Sequence, residues 1–576
     1  MTVGRRALLQ AAAAVAALCA GRAGFAQGRG PTQADLLRFK ATGQVTLLNF
    51  TDLHAQIVPI YFREPSANIG VGAERGLPPH IVGERLLDAY RLGRGGPDAY
   101  ALACTDFEDL ARSYGRMGGL DRLATLVKAI RAERGDRVLL LDGGDTWQGS
   151  WTALQSQGAD MVGLMNVLKP DAMTAHWEFT YGARRVEALV EQLKFPFLAG
   201  NVKEATWGDP VFQPSAVFER GGLRIGVIGQ AFPYTPVANP RYLIPDWSFG
   251  IEEEKIAANV EKLRADKVDL VVLLSHNGFD VDRKLAGRVK GIDVILTGHT
   301  HDALPAPVKV GDTLLIAAGS HGKFLARLDL EVRDKRIRSY EFRLIPVLSD
   351  AIAPDPDMAA MIRDVREPHL DKLDKVLGRT DSLLYRRGNF SGTFDDLICQ
   401  ALLAERDAEI ALSPGFRWGS SLLPDQEITG DDLYNQTAIT YPAAYRNEMT
   451  GAYLKEVLED VADNLFNPDP YYQQGGDMVR AGGLAYTLTV DKPTGQRISD
   501  MVLLRTGEAI DPGKKYVVSG WASVNQATEG PPVYDVVAKY IERVQRVRLE
   551  PNRHVKLVVS DPAGLDQAEA LSGARK

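Results

Sequence analysis

The chain has 576 residues, 24% charged and 45% hydrophobic, which is typical of a globular protein with two or three domains. Its formal net charge of -7 and pI near 5.8 argue against a nucleic-acid partner or an anionic membrane surface, because both require an extended basic surface. Three cysteines, Cys19, Cys104 and Cys399, cannot build a disulfide scaffold or a thiolate metal cluster.

The first 26 residues have the pattern of an export signal. Arg5-Arg6 precedes an apolar stretch, 7–20, that is too short to span a bilayer comfortably, and small residues at 24–26 suit a cleavage site. The paired arginines resemble a twin-arginine signal, and a Sec-type signal is the alternative. We therefore expect a protein exported to the bacterial periplasm without a membrane anchor.

Hydrophobic periodicity predicts strands that alternate with helices, which indicates an α/β fold. A short helix or arm is expected at 32–40, and helices are expected after Gly118-Gly119 and at 159–168. Strands are predicted at 45–50, 138–141, 195–202, 223–229, 269–274, 292–296 and 314–318, the last of which is expected to close the first unit.

Residues 57–117 are predicted to be a long irregular insertion, because prolines and glycines recur along it. A loop of this length in a compact domain is usually functional or disordered. His80 lies within the insertion. It is either an ordinary surface or core histidine or part of a channel wall.

A second unit is predicted after a charged helical segment at 354–377. Its expected helices are at 395–406, 451–466 and 534–546, and its expected strands are at 484–490 and 516–520. The predicted organisation is therefore a catalytic domain at 42–350, a connector at 351–377, a second domain at 378–560 and a polar tail at 561–576.

Residues that can bind metals come directly after several of the predicted strands. Because parallel strands end at one edge of a sheet, side chains placed there can converge on one site. Carboxylates and imidazoles without thiolates suit manganese, iron or zinc, and seven ligands with one bridging carboxylate indicate two metals. The seven candidates are Asp52, His54, Asp145, His176, His276, His299 and His301.

These motifs resemble, in order, those of the calcineurin-like binuclear metallophosphatases: Asp52-x-His54, Gly144-Asp145, Ser275-His276 and Gly298-His299-x-His301. Three further segments, 118–122, 142–149 and 318–320, are similar to the 5′-nucleotidase branch. The resemblance implies a four-layer α/β/β/α metallophosphatase domain and a smaller α/β C-terminal domain of the 5′-nucleotidase type.

The resemblance also implies how the ligands divide between the two metals. Asp145 would bridge, and the metals would lower the pKa of a shared water and stabilise negative charge on the substrate. One metal would take Asp52, His54, Asp145 and His301, and the other would take Asp145, His176, His276 and His299.

One departure from the superfamily pattern concerns the leaving group. Where the superfamily has Gly-Asn-His-Glu, this chain has Ala175-His176-Trp177-Glu178, so that a ligand asparagine becomes His176 and the usual catalytic histidine becomes Trp177. Indole cannot protonate an alkoxide. Such a site suits a leaving group that departs unprotonated, such as a sulfur anion. A degenerate phosphatase is the alternative.

Segment 175–182, together with 106–119 and 230–236, resembles the SoxB thiosulfohydrolases of periplasmic sulfur oxidation. The resemblance implies two manganese ions, with zinc or iron as alternatives. It also implies a partner, the carrier SoxYZ, whose SoxY subunit presents a substituted cysteine near its C-terminus. The expected reaction is attack at a sulfonate sulfur by a hydroxide that the two metals generate, with release of sulfate and no covalent enzyme intermediate.

The second domain carries one candidate contact to the substrate. Arg417, in the segment 414–419, resembles an anion-binding arginine of the 5′-nucleotidases, although a solvated arginine is an equal alternative. In that family a glycine-rich segment near the C-terminus holds the nucleotide base, and this chain lacks that segment. Residues 528–534 are the stretch most similar to it. The catalytic candidates are thus Asp145, His176, Trp177 and Arg417.

Two rival functions remain open at this point. One is a periplasmic nucleotide or cyclic-nucleotide phosphohydrolase, and the other is a carrier-binding scaffold with a relic metal site. Release of phosphate from AMP would support the first, and protein without bound metal would support the second. We expect a monomer.

Overall fold

The computed structural model describes residues 30–390, 392–550 and 552–566. The predicted export signal at 1–26 and most of the predicted tail therefore lie outside the described residues. Within the described ranges, none of the helices combines the length and the apolar character that crossing a membrane requires.

Two mixed sheets build the N-terminal half. Central strands pair in parallel, with Thr46 opposite Val138 in the first sheet and Val272 opposite Val294 in the second, which aligns their carboxyl ends. The first sheet has the spatial order Arg336–Pro346, Phe324–Arg333, Val45–Phe50, Val138–Asp142 and Ala172–Met173. The second has the order Val308–Val310, Thr313–Ala317, Val294–Thr297, Leu270–Ser275, Leu223–Gln230 and Ser215–Arg220.

The two sheets pack face to face and helices cover their outer faces. In the strand Leu270–Ser275, Val272 contributes to the core shared with the first sheet, whereas Val271 packs with residues of the outer helices. This alternation is expected for a strand between two apolar layers. The covering helices are Leu120–Arg134 and Ala159–Leu168 on one side and Glu253–Ala265 and Phe279–Arg288 on the other. The predicted four-layer α/β/β/α fold is confirmed.

Three smaller sheets build the C-terminal half. The largest apolar clusters of this half lie between these sheets and the helices Thr393–Glu405, Gly451–Phe466 and Val533–Val544. The first sheet has the order Tyr445–Thr450, Lys515–Gly520, Ile410–Gly415 and Asp477–Gly482. The second has the order Glu508–Ala509, Ile498–Leu503, Leu484–Thr489 and Val555–Val558, and the third Glu427–Thr429, Val376–Thr380 and Arg546–Val547.

Shorter elements connect these layers. Two-stranded sheets pair Pro59–Ile60 with Met117–Gly118 and Lys203–Glu204 with Trp247–Ser248. The other α-helices of the described residues are Gln33–Leu37, Gly83–Tyr90, Pro97–Leu102, Phe107–Tyr114, Trp151–Ser156, Ala183–Val190, Thr235–Ala238, Pro356–Arg366, Leu370–Leu373 and Gly430–Thr437.

Three sequence expectations differ from the structure. The predicted strand at 195–202 forms only isolated bridges at Phe197 and Leu198, because Pro196 cannot donate to a sheet ladder. The strand ending at Ala317 does not close the first unit, since the hairpin 324–346 comes after it and extends the first sheet.

The insertion at 57–117 is less irregular than predicted, because it contains three short helices. None of its glycines and prolines lies in the interior of these three helices. Pro97 occupies the first turn of its helix, and Gly115 follows the last residue of the next one. These are positions where proline and glycine favour a helix boundary.

Candidate metal centre

The structure brings all seven candidate ligands together in two groups that share one carboxylate. Within each group, the ligand atoms lie within 4.8 Å of one another. The shared residue is Asp145. The first group is Asp52, His54, Asp145 and His301, and the second is Asp145, His176, His276 and His299.

The ligands come from loops at the carboxyl ends of strands in both sheets. Asp52 and His54 follow Val45–Phe50, and Asp145 follows Val138–Asp142, in the first sheet. His276 follows Leu270–Ser275, and both histidines of the 299–301 pair follow Val294–Thr297, in the second sheet. Five of the seven adopt a left-handed backbone, which is uncommon for residues other than glycine and marks tightly folded functional loops. They are Asp52, His54, Asp145, His299 and His301.

Short distances connect the two groups through Asp145. Its Oδ2 atom lies 3.0 Å from His276 Nε2, 3.2 Å from His176 Nδ1 and 3.6 Å from His54 Nε2. On the far side of the first group, His301 Nε2 lies 3.1 Å from His54 Nε2. One carboxylate oxygen therefore faces imidazole nitrogens of both groups, as a bridging ligand must.

The donor set fits a pair of divalent cations. His54 and His301 present their Nε2 atoms to each other, while the buried Nδ1 atom of each has no hydrogen-bond partner. Buried imidazole nitrogens are normally paired with a donor or an acceptor. The two Nε2 atoms instead face each other, which is better explained by a cation that both of them bind. A mixed carboxylate and imidazole set without thiolate suits manganese, iron or zinc.

Acceptors hold the other ring nitrogens of three ligands, and sequence reasoning did not identify these acceptors. His276 Nδ1 lies 2.6 Å from the Gly143 carbonyl oxygen. His176 Nε2 lies 3.1 Å from Asn239 Oδ1, and His299 Nε2 lies 2.8 Å from the Gln474 carbonyl oxygen. Such partners fix the ring orientation and raise ligand basicity.

The charges of the site act strongly on the imidazoles. Burial alone would lower the pKa of His276, but the carboxylates of Asp145 and Asp52 outweigh it and raise that pKa to about 10. By contrast, burial and neighbouring imidazoles hold the pKa of His299 and of His301 well below the ordinary value. Without a cation, the carboxylates therefore attract a proton to the same place where a cation would bind.

Proton release on metal binding is expected from this arrangement. His276 is protonated below about pH 10, and a cation takes the unprotonated ring. Adding Mn²⁺ to metal-free protein at pH 7 is expected to release at least one proton per chain, and affinity should rise about tenfold per pH unit for each proton displaced. Titration in weak buffer with an indicator dye measures this. The exposed His554→Asn variant should behave like the wild type, and binding without proton release would contradict the assignment.

Trp177 lies beside the second group, with its ring centroid 5.8 Å from that of His176. Its backbone N–H donates to Asp145 Oδ1 at 2.6 Å, and its indole is 6% exposed. The ring packs against C-terminal aromatic side chains, edge-on to Phe416 and Trp418 at 5.1 and 4.7 Å and stacked with Tyr441 at 6.1 Å. It therefore fills the junction between the two halves.

Arg417 reaches the same junction from the C-terminal half. Its Nε donates to Asp477 Oδ1 at 3.4 Å, and its Nη2 donates to the Gly476 carbonyl. Its buried Nη1 has no protein partner, and the residue lines a cavity that also contains His299. A charged donor without a partner beside the ligand groups can contact an anion.

Arg387 is a second buried arginine at this edge, and sequence reasoning missed it. Its Nη2 donates to the Thr300 carbonyl at 3.0 Å, between two ligand histidines in the sequence. Its Nε and Nη1 atoms are buried without hydrogen-bond partners. The sequence just before Arg387 carries no motif that indicates a functional site. The residue reaches the site only when the two halves pack together.

His80 is a buried core histidine with both ring nitrogens paired, and it also lines the cavity that His299 and Arg417 line. The ring is buried between Asn68 and Asp280, with Nε2 2.9 Å from Asp280 Oδ2. Burial would lower the pKa of His80, but the Asp280 carboxylate outweighs it and raises that pKa.

Comparisons with known proteins agree with this geometry. Residues 376–536 match the family model of the 5′-nucleotidase C-terminal domain. The mouse 5′-nucleotidase is 26% identical over 437 residues, which cover 68% of this chain and 73% of the relative. A 5′-nucleotidase precursor from Thermus thermophilus shares the fold, with a TM-score of 0.71 at 21% identity over 89% of this chain and 99% of that chain.

A nearer similarity covers almost the whole structure. The sulfate thiohydrolase SoxB of Thermus thermophilus has 38% identity and a TM-score of 0.87, over 90% of this chain and 98% of that chain. The structure, with its paired ligand groups and its 5′-nucleotidase C-terminal domain, agrees with that match. The chain is a hydrolase that belongs to the SoxB family, within the 5′-nucleotidase branch of the binuclear metallophosphatases.

Proposed function

We propose that this chain is a thiosulfohydrolase that depends on two manganese ions. It removes sulfate from a cysteine that carries a thiosulfonate group on a SoxYZ-type carrier. Water supplies the new oxygen, the bond between the sulfonate sulfur and the next sulfur breaks, and the carrier keeps the remaining sulfur as a persulfide. The 38% identity to the Thermus thermophilus sulfate thiohydrolase supports this proposal.

The observation that carries the proposal is the environment of Trp177. The position that holds a proton-donating histidine in related phosphatases here holds an indole packed against Phe416 and Trp418. A phosphate ester needs help to expel a poor alkoxide, whereas a persulfide anion leaves without a proton because its conjugate acid is much stronger. The substitution therefore favours cleavage of a sulfur–sulfur bond.

Each of the two ligand groups would hold one cation, and Asp145 would belong to both groups. When bound, two such cations lower the pKa of a shared water and neutralise charge on substrate oxygens. Carboxylates and imidazoles suit manganese, zinc and iron alike. We propose manganese because the resemblance to the SoxB family implies it. The carbonyl of Gly143 and the amide of Asn239 keep His276 and His176 oriented while the chemistry proceeds.

Two arginine side chains would bind the sulfonate. Arg417 and Arg387 have buried N–H groups without hydrogen-bond partners at the edge of the ligand groups, although Asp477 lies 3.7 Å from Arg387 Nη1. Sulfonate oxygens are good acceptors for guanidinium donors, and such charge-assisted hydrogen bonds are roughly twice as strong as neutral ones. Trp177 and Trp418 would exclude bulk water from one side, because both side chains are buried.

We also propose a periplasmic location and a monomeric enzyme that meets its carrier transiently. Support for the location comes from the twin-arginine pattern at 5–6, which lies outside the described residues. Export after folding would let the metal be selected before secretion.

The direct experiment compares two substrates with manganese-loaded protein. Sulfate release from thiosulfonated SoxYZ should be fast, and phosphate release from AMP should be slow or absent. The 5′-nucleotidase relatives make AMP the informative competitor. Phosphate release without sulfate release would replace our proposal by a nucleotide phosphohydrolase, and protein that binds no metal would favour a scaffold.

Replacement of Arg417 by lysine tests the anion contact. Lysine keeps the charge but loses the planar set of donors, so KM for the thiosulfonated carrier is expected to rise about tenfold with a smaller change in kcat. Steady-state kinetics measures both constants. Arg446→Lys is the matched control, because Arg446 is exposed and contacts the surface loop at 406–407, through two carbonyls and an ion pair with Asp407. Equal KM values in the two variants would exclude the role of Arg417.

A further inference from the structure

Another buried histidine, His321, lies against the first ligand group without belonging to it. Its ring centroid is 5.8 Å from that of His54 and 5.7 Å from that of His301, and the side chain is completely buried. Phe62, from the insertion, packs on its other side at 4.4 Å.

The hydrogen bonds of His321 fix its tautomer. The Gly419 backbone N–H points at Nε2 from 3.2 Å, and an N–H can only donate, so Nε2 must be the unprotonated acceptor. The ring proton is then on Nδ1, which donates to Ser320 Oγ at 2.7 Å. Both nitrogens are thus used in one defined orientation.

His321 also contacts the ligand loop through its backbone. Its N–H donates to the Asp52 carbonyl at 2.8 Å, and its φ of 57° is left-handed. The same residue therefore joins the loop that carries two ligands to Gly419 in the C-terminal half. Between these points, the Trp418 ring stacks on His54 at 5.3 Å with an interplanar angle of 23°.

Arg417 lies two residues before Gly419, whose N–H donates to His321. A backbone N–H buried at Gly419 has to be paired, so this bond fixes where the preceding residues lie relative to the ligand groups. Gly419 itself has a φ of 122°, a conformation that favours glycine, and a side chain there would collide with Gln436. The Gly419 N–H therefore takes its acceptor from outside the segment 416–419, in addition to the contacts that Arg417 makes with Asp477 and Gly476.

We propose that His321 is a positioning residue that holds the segment 416–419 against the metal-ligand loop and so sets the affinity of Arg417 for the substrate anion. This inference rests on the proposed function in one respect, namely that Arg417 contacts the anion. His321 itself is in neither ligand group.

Two variants separate the hydrogen bond from the packing. His321→Phe keeps a ring of similar size but leaves the Gly419 N–H buried without an acceptor, whereas His321→Gln offers an amide oxygen near the position of Nε2. Sulfate, the product anion, is the probe, and its binding to manganese-loaded protein is measured by isothermal titration calorimetry. Metal content is measured in parallel by elemental analysis.

We expect His321→Phe to weaken sulfate binding about tenfold or more and His321→Gln to stay within about threefold of the wild type. Both should retain two divalent ions per chain, and KM for the thiosulfonated carrier should rise more than kcat falls in His321→Phe. If that variant does not fold, His321→Leu removes the same acceptor with less bulk and gives the same comparison.

Wild-type sulfate affinity in His321→Phe would overturn the inference. Equal losses in the phenylalanine and glutamine variants would also overturn it, because ring shape rather than the acceptor would then matter. Loss of metal with unchanged sulfate affinity at matched metal content would assign His321 to metal retention instead. The wild type could bind free sulfate and yet produce no sulfate from the thiosulfonated carrier. In that case the proposed function fails, while the comparison of the variants still stands.

Discussion

Asp145→Asn is expected to abolish activity by removing the charge that both ligand groups share. Asparagine keeps the Oδ1 atom that accepts from the Trp177 N–H, so the loop should stay folded. It cannot bridge two cations as a carboxylate does. Since loss of a mere hydrogen-bond partner of a ligand costs about 10- to 100-fold in metal affinity, loss of the bridging ligand should cost more than about 100-fold.

Elemental analysis after dialysis measures this result, together with the rate of sulfate release. Asp142→Asn is the matched control three residues away. Burial raises the pKa of Asp142 to about 8, which reduces the electrostatic cost of replacing its carboxyl by an amide. Equal metal content in the two variants would mean that Asp145 does not join the ligand groups.

Trp177→His is expected to raise the phosphatase activity of the protein, because it restores an acid–base group next to His176. General acid catalysis contributes about 10²- to 10⁴-fold, and a gain towards that range is expected for phosphate monoesters with poor leaving groups. Hydrolysis of the thiosulfonate should not gain, since its leaving group needs no proton. The ratio of phosphate released from AMP to sulfate released from the carrier measures the effect.

Trp177→Phe is the control for the lost aromatic contacts. Both variants shrink a side chain that packs against Phe416, Trp418 and Tyr441, so both should lower the free energy of unfolding, by less than the about 3–5 kcal/mol typical of a buried Trp→Ala change. Only the histidine variant should gain phosphatase activity. An unchanged ratio in both variants would contradict the account of the leaving group.

The candidate ligands could be found from the sequence because of a simple topological regularity. Buried strands such as Val138–Asp142 and Leu270–Ser275 are apparent as apolar runs, and parallel strands bring the residues at their carboxyl ends to one edge of the sheet. Aspartates and histidines at those ends were thus expected to converge, and the structure brings all seven into the two groups that share Asp145.

Other parts of the site depend on tertiary packing that no local pattern encodes. Arg387, Asn239 and the carbonyl of Gln474 reach the ligand groups from distant segments, through contacts that exist only when the chain is folded. His321 was overlooked because it does not occupy a ligand position in any motif that we used. The helices of the insertion were missed because the proline and glycine content suggested a loop, whereas these residues mark helix ends.

The most direct test of the central claim is a crystal structure of manganese-loaded protein with anomalous data collected near the manganese edge. Our account predicts two anomalous peaks of similar height, one in each ligand group, on either side of the Asp145 carboxylate and about 3.5–4 Å apart. A single peak, or two peaks that do not share Asp145, would contradict it.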